Sequence, residues 1–332
     1  MKTAYAYTRE LLLKQKPSMA YDGSDFSSWQ AKARVKLREL LGMDKFTKVD
    51  PELEIEYETE LENATEIRFT FQTEAGYRAP AHLLIPHGVD HPPVMICLQG
   101  HSTGMHISLG RVKFEGDERT IQGGDRDFCL RAVKEGFAAV ALEQRTLGES
   151  RNEESRGCLC SSMTNLLMGR TTIGERVWDV MRLIDVLKAS FADRANTECI
   201  SLMGNSGGGT ATAYAAALED RLALAMPSCA LCAFTASIGA KYHCSCNYVP
   251  RIAEYFDMGD ILAMAAPKPY IQVSGVEDTG FFFYGAEAVF AQGKRGYEAA
   301  GAGDKCAFVA GPEGHRFYAD LAWPHVHRLL DK

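Results

Sequence analysis

Hydrophobic and polar positions change their spacing along the chain and divide it into an N-terminal region and a longer body. Over residues 26–41, apolar side chains recur at helical spacing until Gly42 ends the run. We predict an amphipathic helix there, capped by Ser24 or Asp25 and docked on something larger. Residues 1–22 have no clear period and are predicted to form an arm lying over the same body.

From Ile55 onward the spacing becomes that of β-strands. Residues 67–71 alternate strictly, and residues 79–85 follow the turn near Gly76, which predicts an antiparallel hairpin. Six continuous apolar runs come next, mostly separated by helical patterns: 94–98, 137–142, 199–203, 222–226, 270–274 and 306–310. Runs that are buried on both faces and alternate with helices indicate a parallel sheet covered on each side. We therefore predict an α/β fold with a mostly parallel eight-stranded sheet whose first strands are antiparallel.

The chain shows no internal repeat, low-complexity tract or linker that would divide it into independent parts. We predict an arm and helix over residues 1–54, packed on one α/β domain over residues 55–332. Two long segments, 143–171 and 228–262, leave the carboxyl ends of predicted strands. Open α/β sheets bind ligands at that edge, so these segments are predicted to form the walls or lid of a pocket.

A serine held between glycines follows the apolar run 199–203. The pattern Gly204-x-Ser206-x-Gly208 lies between this predicted strand and an alanine-rich helical stretch. It is typical of a nucleophile elbow, a strained strand-to-helix turn that exposes a serine hydroxyl above a sheet. Ser206 is therefore the predicted nucleophile, and the alternative is a glycine-rich turn with a bystander serine.

A serine nucleophile needs a base to remove its proton and an acid to orient that base. His315 lies in a glycine-rich loop directly after the last predicted strand, and we predict that it is the base. The preceding strand is followed by two carboxylates, Glu277 and Asp278. Asp278 is favoured as the acid because its shorter side chain has less conformational freedom, and Glu277 remains the second choice.

Acyl transfer also needs two backbone N–H groups directed at the developing oxyanion. We assign one to Gly207, directly after the nucleophile, and the other to His101, in the loop after the run 94–98. A metal held by His101 and His106 is the alternative for this loop. It is disfavoured because no carboxylate or cysteine lies close to them in the loop.

Ten cysteines are more than we expect, but a chain of 332 residues does not need disulfides, so reduced thiols are the expectation. Two cysteine pairs together could close a tetrahedral zinc site: Cys229 with Cys232, and Cys244 with Cys246. The second pair has a single intervening residue and apolar or aromatic neighbours. Buried cysteines that pack as small hydrophobes are therefore favoured, for Cys158 and Cys160 as well, and we predict no metal.

The net charge of −7 argues against nucleic acid and anionic membranes as partners, since an acidic surface is attracted to neither. A small-molecule substrate fits better. The N-terminus has no sustained apolar region, and no stretch approaches the roughly 18 apolar residues of a membrane span. We expect a cytoplasmic protein; the oligomeric state, a homo-oligomer included, stays open.

Together these motifs resemble the acetyl xylan esterase and dienelactone-hydrolase-like branch of the α/β-hydrolases. The resemblance runs from about Trp29 to His315. Its most specific parts are residues 98–101, 147–150, 168–179, 204–208, 247–250 and 266–269. It implies an α/β-hydrolase fold and hydrolysis of a carboxylic ester, often an acyl group on a sugar, without metal or organic cofactor. In similar proteins the acid lies three residues after the strand-end glycine, which implies Asp278 after Gly275.

The loop after the acid departs from that family pattern. Relatives tend to have an Ile-Phe-Pro-like turn there, whereas residues 279–284 read Thr-Gly-Phe-Phe-Phe-Tyr. Phe281 and Phe282 are candidates for a pocket that takes an aromatic or bulky acyl group. Core packing under the loop explains them equally well.

These observations predict a serine carboxylesterase that hydrolyses a small ester through an acyl-enzyme. A lactone hydrolase or a serine peptidase on the same scaffold stays open, because fold and triad do not fix the bond that is cleaved. From a different class, a non-catalytic binding protein with a hydrolase fold is the remaining alternative.

Overall fold

The computed structural model describes residues 1–151 and 157–330, and nine strands in these ranges form one sheet. The strands are β1 (Glu54–Glu60), β2 (Ala64–Glu74), β3 (Tyr77–Pro86), β4 (Pro93–Leu98), β5 (Ala138–Leu142), β6 (Asn196–Asn205), β7 (Leu222–Ser228), β8 (Tyr270–Gly275) and β9 (Cys306–Gly311). Their order across the sheet is β1-β2-β3-β5-β4-β6-β7-β8-β9. Residues 152–156 of the predicted wall segment 143–171 lie outside the described residues.

The sheet is parallel from β5 to β9 and antiparallel at its β1 edge. Pairs β1–β2, β2–β3 and β3–β5 are antiparallel, and all five pairs from β5–β4 to β8–β9 are parallel. The predicted α/β class and antiparallel start are confirmed. The predicted count of eight strands is wrong because β1 was not recognised: all seven of its residues are exposed, so it has no buried face to mark it.

Helices cover both faces of this sheet. They are α1 (Ala4–Lys14), α2 (Phe26–Leu40), α3 (Asp117–Gly124), α4 (Phe128–Lys134), α5 (Leu159–Leu167), α6 (Thr172–Ser190), α7 (Gly207–Leu218), α8 (Ile252–Tyr255), α9 (Met258–Met264), α10 (Phe283–Ala299) and α11 (Ala319–Leu329). Short 3₁₀ helices lie at Met43–Lys45, Met105–Leu109, Gly148–Ser150, Ser245–Asn247 and Gly303–Lys305. Across the described ranges, no helix combines the length and the apolar content that a membrane crossing requires.

Two hydrophobic clusters sandwich the sheet, and alternate residues of its central strands point into them. In β4, Val94 and Ile96 belong to the cluster under α6 and α7, whereas Met95 and Cys97 belong to the one under α4 and α11. Successive side chains of a strand point to opposite faces, so a strand covered on both sides reads as continuously apolar. This is why the central strands could be recognised in the sequence.

The N-terminal region packs on the α7–α9 side of the body. Helix α2 begins after Asp25, whose side chain caps it, and ends before Gly42, which has a left-handed φ of 71°. Its buried side chains join the larger cluster, and Gln30 donates to the Met264 carbonyl at 3.0 Å. Within residues 1–22 the structure contains α1, which has no buried residue and therefore no apolar period.

Candidate active site

Ser206 occupies a one-residue turn between β6 and α7. Its backbone has φ 56° and ψ −122°, a region that non-glycine residues rarely adopt and that costs free energy. The Ser206 N–H donates to the Ser228 carbonyl at 2.8 Å, which ties the turn to the end of β7. The side chain is partly exposed, so the turn presents its hydroxyl at the carboxyl edge of the sheet.

The glycines around Ser206 are required by close packing. A Cβ at Gly204 would lie 2.5 Å from the Gly208 carbonyl oxygen, and a Cβ at Gly208 would lie 2.2 Å from the Leu98 carbonyl oxygen. Both distances are far shorter than a van der Waals contact, and the atoms met belong to the backbone, which cannot easily move away. The elbow can therefore form only with glycine at both positions.

His315 and Asp278 form a hydrogen-bonded pair at the same edge. The Asp278 carboxylate Oδ2 lies 2.7 Å from His315 Nδ1, and Asp278 Oδ1 accepts from the backbone N–H groups of Gly280 at 2.7 Å and Phe281 at 3.0 Å. Burial disfavours the charged form, but the bonds from His315 and the backbone outweigh it and hold the pKa of Asp278 below its usual value. The carboxylate is thus anionic and aimed at the imidazole.

The two candidate acids are separated by their surroundings. Glu277 is exposed, and its backbone N–H donates to the Glu313 carbonyl at 2.9 Å. Asp278 is 3% exposed and lies one residue further along the turn that starts at Gly275. The geometry therefore favours Asp278 over Glu277 as the acid, a role that stays a prediction.

Sheet topology brings the predicted triad to one edge. Ser206 follows β6, Asp278 follows β8 and His315 follows β9, and these strands are parallel with only β7 between β6 and β8. Carboxyl ends of parallel strands meet at the same side of a sheet. Ser206, Asp278 and His315, which are spread over more than 100 positions of the sequence, therefore follow strands that end at the same edge of the sheet.

Cys229, directly after β7, lies beside the Asp278–His315 pair. Its sulfur, the carboxylate and an imidazole nitrogen all lie within 4.8 Å of one another. The Cys229 thiol donates to the Arg316 carbonyl at 3.2 Å, and burial, helped by the nearby Asp278 charge, raises the pKa of the thiol to about 12. It is a neutral neighbour of the pair at physiological pH and a poor metal ligand.

The loop after β4 passes directly against the elbow. A Cβ at Gly100 would lie 2.6 Å from the Asn205 carbonyl oxygen and 2.8 Å from Ser206 Cβ. Among the described residues, no hydrogen bond is seen from the backbone N–H of His101 or of Gly207. Both predicted oxyanion donors thus flank the serine, and their N–H groups are not used elsewhere in that part of the chain.

A buried carboxylate that the sequence analysis did not single out supports this loop. Glu143, directly after β5, accepts at Oε2 from the N–H of Met105 and from the N–H of Glu149, both at 3.1 Å. Burial raises the pKa of Glu143 to about 7. The signal available in the sequence was a charged residue ending an entirely apolar strand.

The two aromatic candidates for a substrate pocket have different surroundings. Phe281 is 5% exposed, packs with Cys232 and Ala236, and stacks on the His315 ring at 5.9 Å between centroids. Phe282 is half-buried, and its ring stacks on Tyr284. Phe281 thus packs against the imidazole, and a role in a pocket wall stays a prediction for both phenylalanines.

The disfavoured alternative, a zinc site of Cys229, Cys232, Cys244 and Cys246, does not form among the described residues. Cys229 lies beside His315 and Cys232 lies beneath Phe281, so these two do not meet Cys244 and Cys246. The structure assembles a different cluster, whose sulfur and imidazole ligand atoms all lie within 4.8 Å of one another: His101, Cys158, Cys244 and Cys246. Spacing along the chain could not reveal it, because three separate segments contribute to it.

His106 does not join His101. Its Nε2 lies 2.9 Å from Asp117 Oδ2, and both side chains are buried. Asp117 also accepts from the Thr103 hydroxyl and from the backbone N–H groups of Lys113 and Phe114, just before α3, and these bonds hold its pKa well below its usual value despite burial. His106 is thus part of a loop-stabilising network rather than of a histidine pair.

A mostly parallel sheet, helices on both faces and a serine at a strand-to-helix elbow together define the α/β-hydrolase fold. The chain belongs to the Abhydrolase family, which it matches over residues 3–169. This confirms the predicted fold class and the resemblance to α/β-hydrolases. The match ends before Ser206.

Two curated relatives can be compared by sequence. "Putative hydrolase YtaP" of Bacillus subtilis (strain 168) is 24% identical over 245 residues, which are 72% of this chain and 78% of that protein. A 4-O-methyl-glucuronoyl methylesterase of Phanerochaete carnosa (strain HHB-10118-sp) is 31% identical over 98 residues, 29% of this chain and 24% of that protein. The first likeness extends over most of both chains, and the second is local.

Solved structures extend the likeness of the fold to the whole chain. A protein described as a putative acetyl xylan esterase from Bacteroides fragilis NCTC 9343 superposes with a TM-score of 0.78 at 18% identity, covering 99% of this chain and 90% of that one. A glucuronoyl esterase from Solibacter usitatus superposes with a TM-score of 0.68 at 13% identity, covering 95% and 96%. At such identities the superpositions establish the shared fold.

Proposed function

We propose that this protein is a serine carboxylesterase that removes an ester-linked group from a carbohydrate. The observation that carries the proposal is the 2.7 Å pair of Asp278 and His315, placed at the same sheet edge as Ser206 in its strained elbow. The carbohydrate part rests on relatives and structural neighbours that are described as acetyl xylan and glucuronoyl esterases. The substrate is then a small-molecule ester, and the proposed reaction uses no cofactor.

In the first half-reaction, the Ser206 Oγ attacks the ester carbonyl carbon while His315 Nε2 takes the hydroxyl proton. The Asp278 carboxylate accepts the Nδ1 hydrogen and stabilises the imidazolium that forms. The carbonyl electrons return as the bond to the alcohol oxygen breaks, and His315 gives its proton to that oxygen. The products are the free alcohol and an acyl-Ser206 ester.

In the second half-reaction, water replaces the alcohol. His315 removes a proton from the water molecule as the water oxygen attacks the acyl carbon. His315 then gives this proton to Ser206 Oγ when the bond between Oγ and the acyl carbon breaks. The acid is released and the enzyme returns to its starting state. One imidazole, partly exposed at the edge of the sheet, can serve both steps.

The negative charge on the carbonyl oxygen is stabilised by the N–H groups of Gly207 and His101. Gly207 is the first residue of α7, where N–H groups have no partner within the helix and the helix dipole favours negative charge. Removing one such donor typically costs about 10²- to 10³-fold in kcat. The close approach of Gly100 to the elbow keeps the second donor near the serine.

The proposal is tested with acetylated xylooligosaccharides, methyl glucuronate esters and p-nitrophenyl acetate, combined with a fluorophosphonate probe. We expect ester turnover, labelling of Ser206 alone, and loss of both in Ser206→Ala. Ser27→Ala, on the exposed face of α2, is the matched control and should retain both. A folded protein that is not labelled would refute a serine hydrolase, and labelling without turnover of any ester would point to a peptidase.

A further inference from the structure

We propose that His101, Cys158, Cys244 and Cys246 bind a Zn²⁺ ion that ties the loop after β4 to the two long segments around the active site. Cys158 precedes α5, and the other two cysteines lie at the 3₁₀ helix Ser245–Asn247. Cys158 and Cys246 are buried, Cys244 is partly buried, and His101 reaches them from the exposed rim. Three thiols and one imidazole are a common donor set for structural zinc.

The distances between donor atoms fit a tetrahedral ion. His101 Nε2 lies 3.2 Å from the Cys246 sulfur and 3.7 Å from the Cys158 sulfur. Usual zinc–sulfur and zinc–nitrogen bond lengths at a tetrahedral angle give a nitrogen–sulfur separation of about 3.6 Å. The four donor atoms all lie within 4.8 Å of one another, so no pair exceeds its separation in a tetrahedral zinc site by much more than about an ångström.

The buried Arg176 beside the sulfurs favours an anionic cluster. Arg176 is 1% exposed, and its guanidinium donates to the Arg145 carbonyl and Thr146 hydroxyl at 3.1 Å and to the sulfurs of Cys158 and Cys246 at 3.5 Å. Within the described ranges, none of its hydrogen bonds reaches a carboxylate. A buried guanidinium needs a compensating negative charge. Zn²⁺ with three thiolates and a neutral imidazole carries one negative charge, which cancels that of Arg176.

Hydrogen bonds to the sulfurs have the pattern expected around metal-bound thiolates. The Thr146 hydroxyl donates to the Cys158 sulfur at 2.9 Å, and Arg176 donates to Cys158 and Cys246. Donors of this kind orient the ligands and spread the charge of a thiolate site. Three uncoordinated thiolates at this separation would instead repel one another.

Four protein ligands leave no open position, so the ion would have a structural role. Its effect on catalysis, which rests on the proposed function, would come through His101. A Cβ at Gly207 would lie 3.0 Å from His101 Nδ1, so the imidazole packs directly on the residue after the nucleophile. Fixing the ring through Nε2 would hold the His101 N–H beside Ser206.

The test is zinc content by elemental analysis and native mass spectrometry of the full chain, purified under reducing conditions and supplied with Zn²⁺. We expect about one zinc per chain in the wild type and in the control Cys160→Ser, whose cysteine is exposed two residues from Cys158. Cys246→Ser and His101→Phe should lose most of the zinc. Since such variants can misfold, Co²⁺ is also loaded into the wild type, where the visible absorption of a tetrahedral thiolate complex is expected.

Three results would overturn the site. They are a folded wild type that takes up neither ion, full zinc content in Cys246→Ser, and an intact mass two hydrogens lower without metal, which would reveal a disulfide. Metal content is measured independently of turnover. A zinc-loaded protein without esterase activity would refute the proposed function and support the zinc site. An active protein that takes up no metal would refute the zinc site and support the proposed function.

Discussion

The two sides of Ser206 are built in different ways. On one side, the Asp278–His315 pair is held by a short turn, in which Asp278 Oδ1 accepts from the N–H groups of the following residues Gly280 and Phe281. On the other side, His101 meets three cysteines brought by two distant segments, and its loop is supported by the buried Glu143. The first side depends on local turns at strand ends, and the second on tertiary assembly.

This difference predicts how each side fails. A change in the Asp278–His315 pair should remove activity while the fold stays intact, because its supporting bonds are local. A change on the His101 side should affect both the position of the His101 N–H and the stability of the fold. Its polar groups are buried between segments, and they stabilise the fold only when all their hydrogen-bond partners are in place.

The largest effect is expected from Asp278→Asn. An amide nitrogen facing His315 would donate rather than accept, which places the imidazole proton on Nε2 and prevents it from taking the Ser206 proton. kcat should fall about 10⁴-fold, with little change in thermal unfolding. Steady-state kinetics on p-nitrophenyl acetate and circular dichroism measure the two quantities.

Glu277→Gln is the matched control for this prediction. Glu277 is the adjacent carboxylate, is exposed, and should change kcat by less than about 2-fold, as surface substitutions usually do little. If Glu277→Gln were the inactive variant and Asp278→Asn the active one, the acid would have to be reassigned.

The next largest effect is expected from Gly100→Ala. The new Cβ would come within 2.6 Å of the Asn205 carbonyl oxygen, so the loop must move away from the elbow. The His101 N–H moves with it, and kcat should fall about 10²- to 10³-fold. Gly123→Ala, where no atom lies within 4 Å of the added carbon, is the control. Unchanged kcat in folded Gly100→Ala would show that this loop supplies no oxyanion donor.

The same contrast explains what could be predicted from sequence. The Asp278–His315 side follows from rules of topology: apolar runs mark the strands, and functional residues follow their carboxyl ends. The burial that separates Glu277 from Asp278 depends on the path of the four-residue turn that starts at Gly275. The His101 cluster was not predictable, since Cys158 and Cys244 are 86 positions apart and only loop packing brings them together.

A smaller effect is expected from Arg176→Met, which keeps the length of the side chain and removes its charge. The zinc cluster would retain its negative charge without a buried counter-charge, so its affinity for zinc should fall about 10- to 100-fold. Competition with a chelator measures this affinity. Arg182→Met is a comparison, because Arg182 lies on the same helix, is equally buried, and pairs with Asp185 away from the cluster. Equal loss in both variants would mean that general destabilisation, and not charge, is responsible.

The smallest expected effect is a pH dependence of stability from Glu143. Because burial raises its folded pKa from 4.5 to about 7, the folded state binds the proton more tightly than the unfolded chain does. Its stabilising contribution is therefore complete below pH 4.5 and is lost as the pH rises through about 7. Relative to Glu143→Gln, the wild type should lose about 2 kcal/mol of unfolding free energy between pH 5.5 and 7.5. Denaturant unfolding of both proteins across this range measures the difference, in which the other titrating groups cancel. A difference that is constant with pH would mean that Glu143 ionises normally, and that the loop after β4 is supported by an anion rather than by a neutral acid.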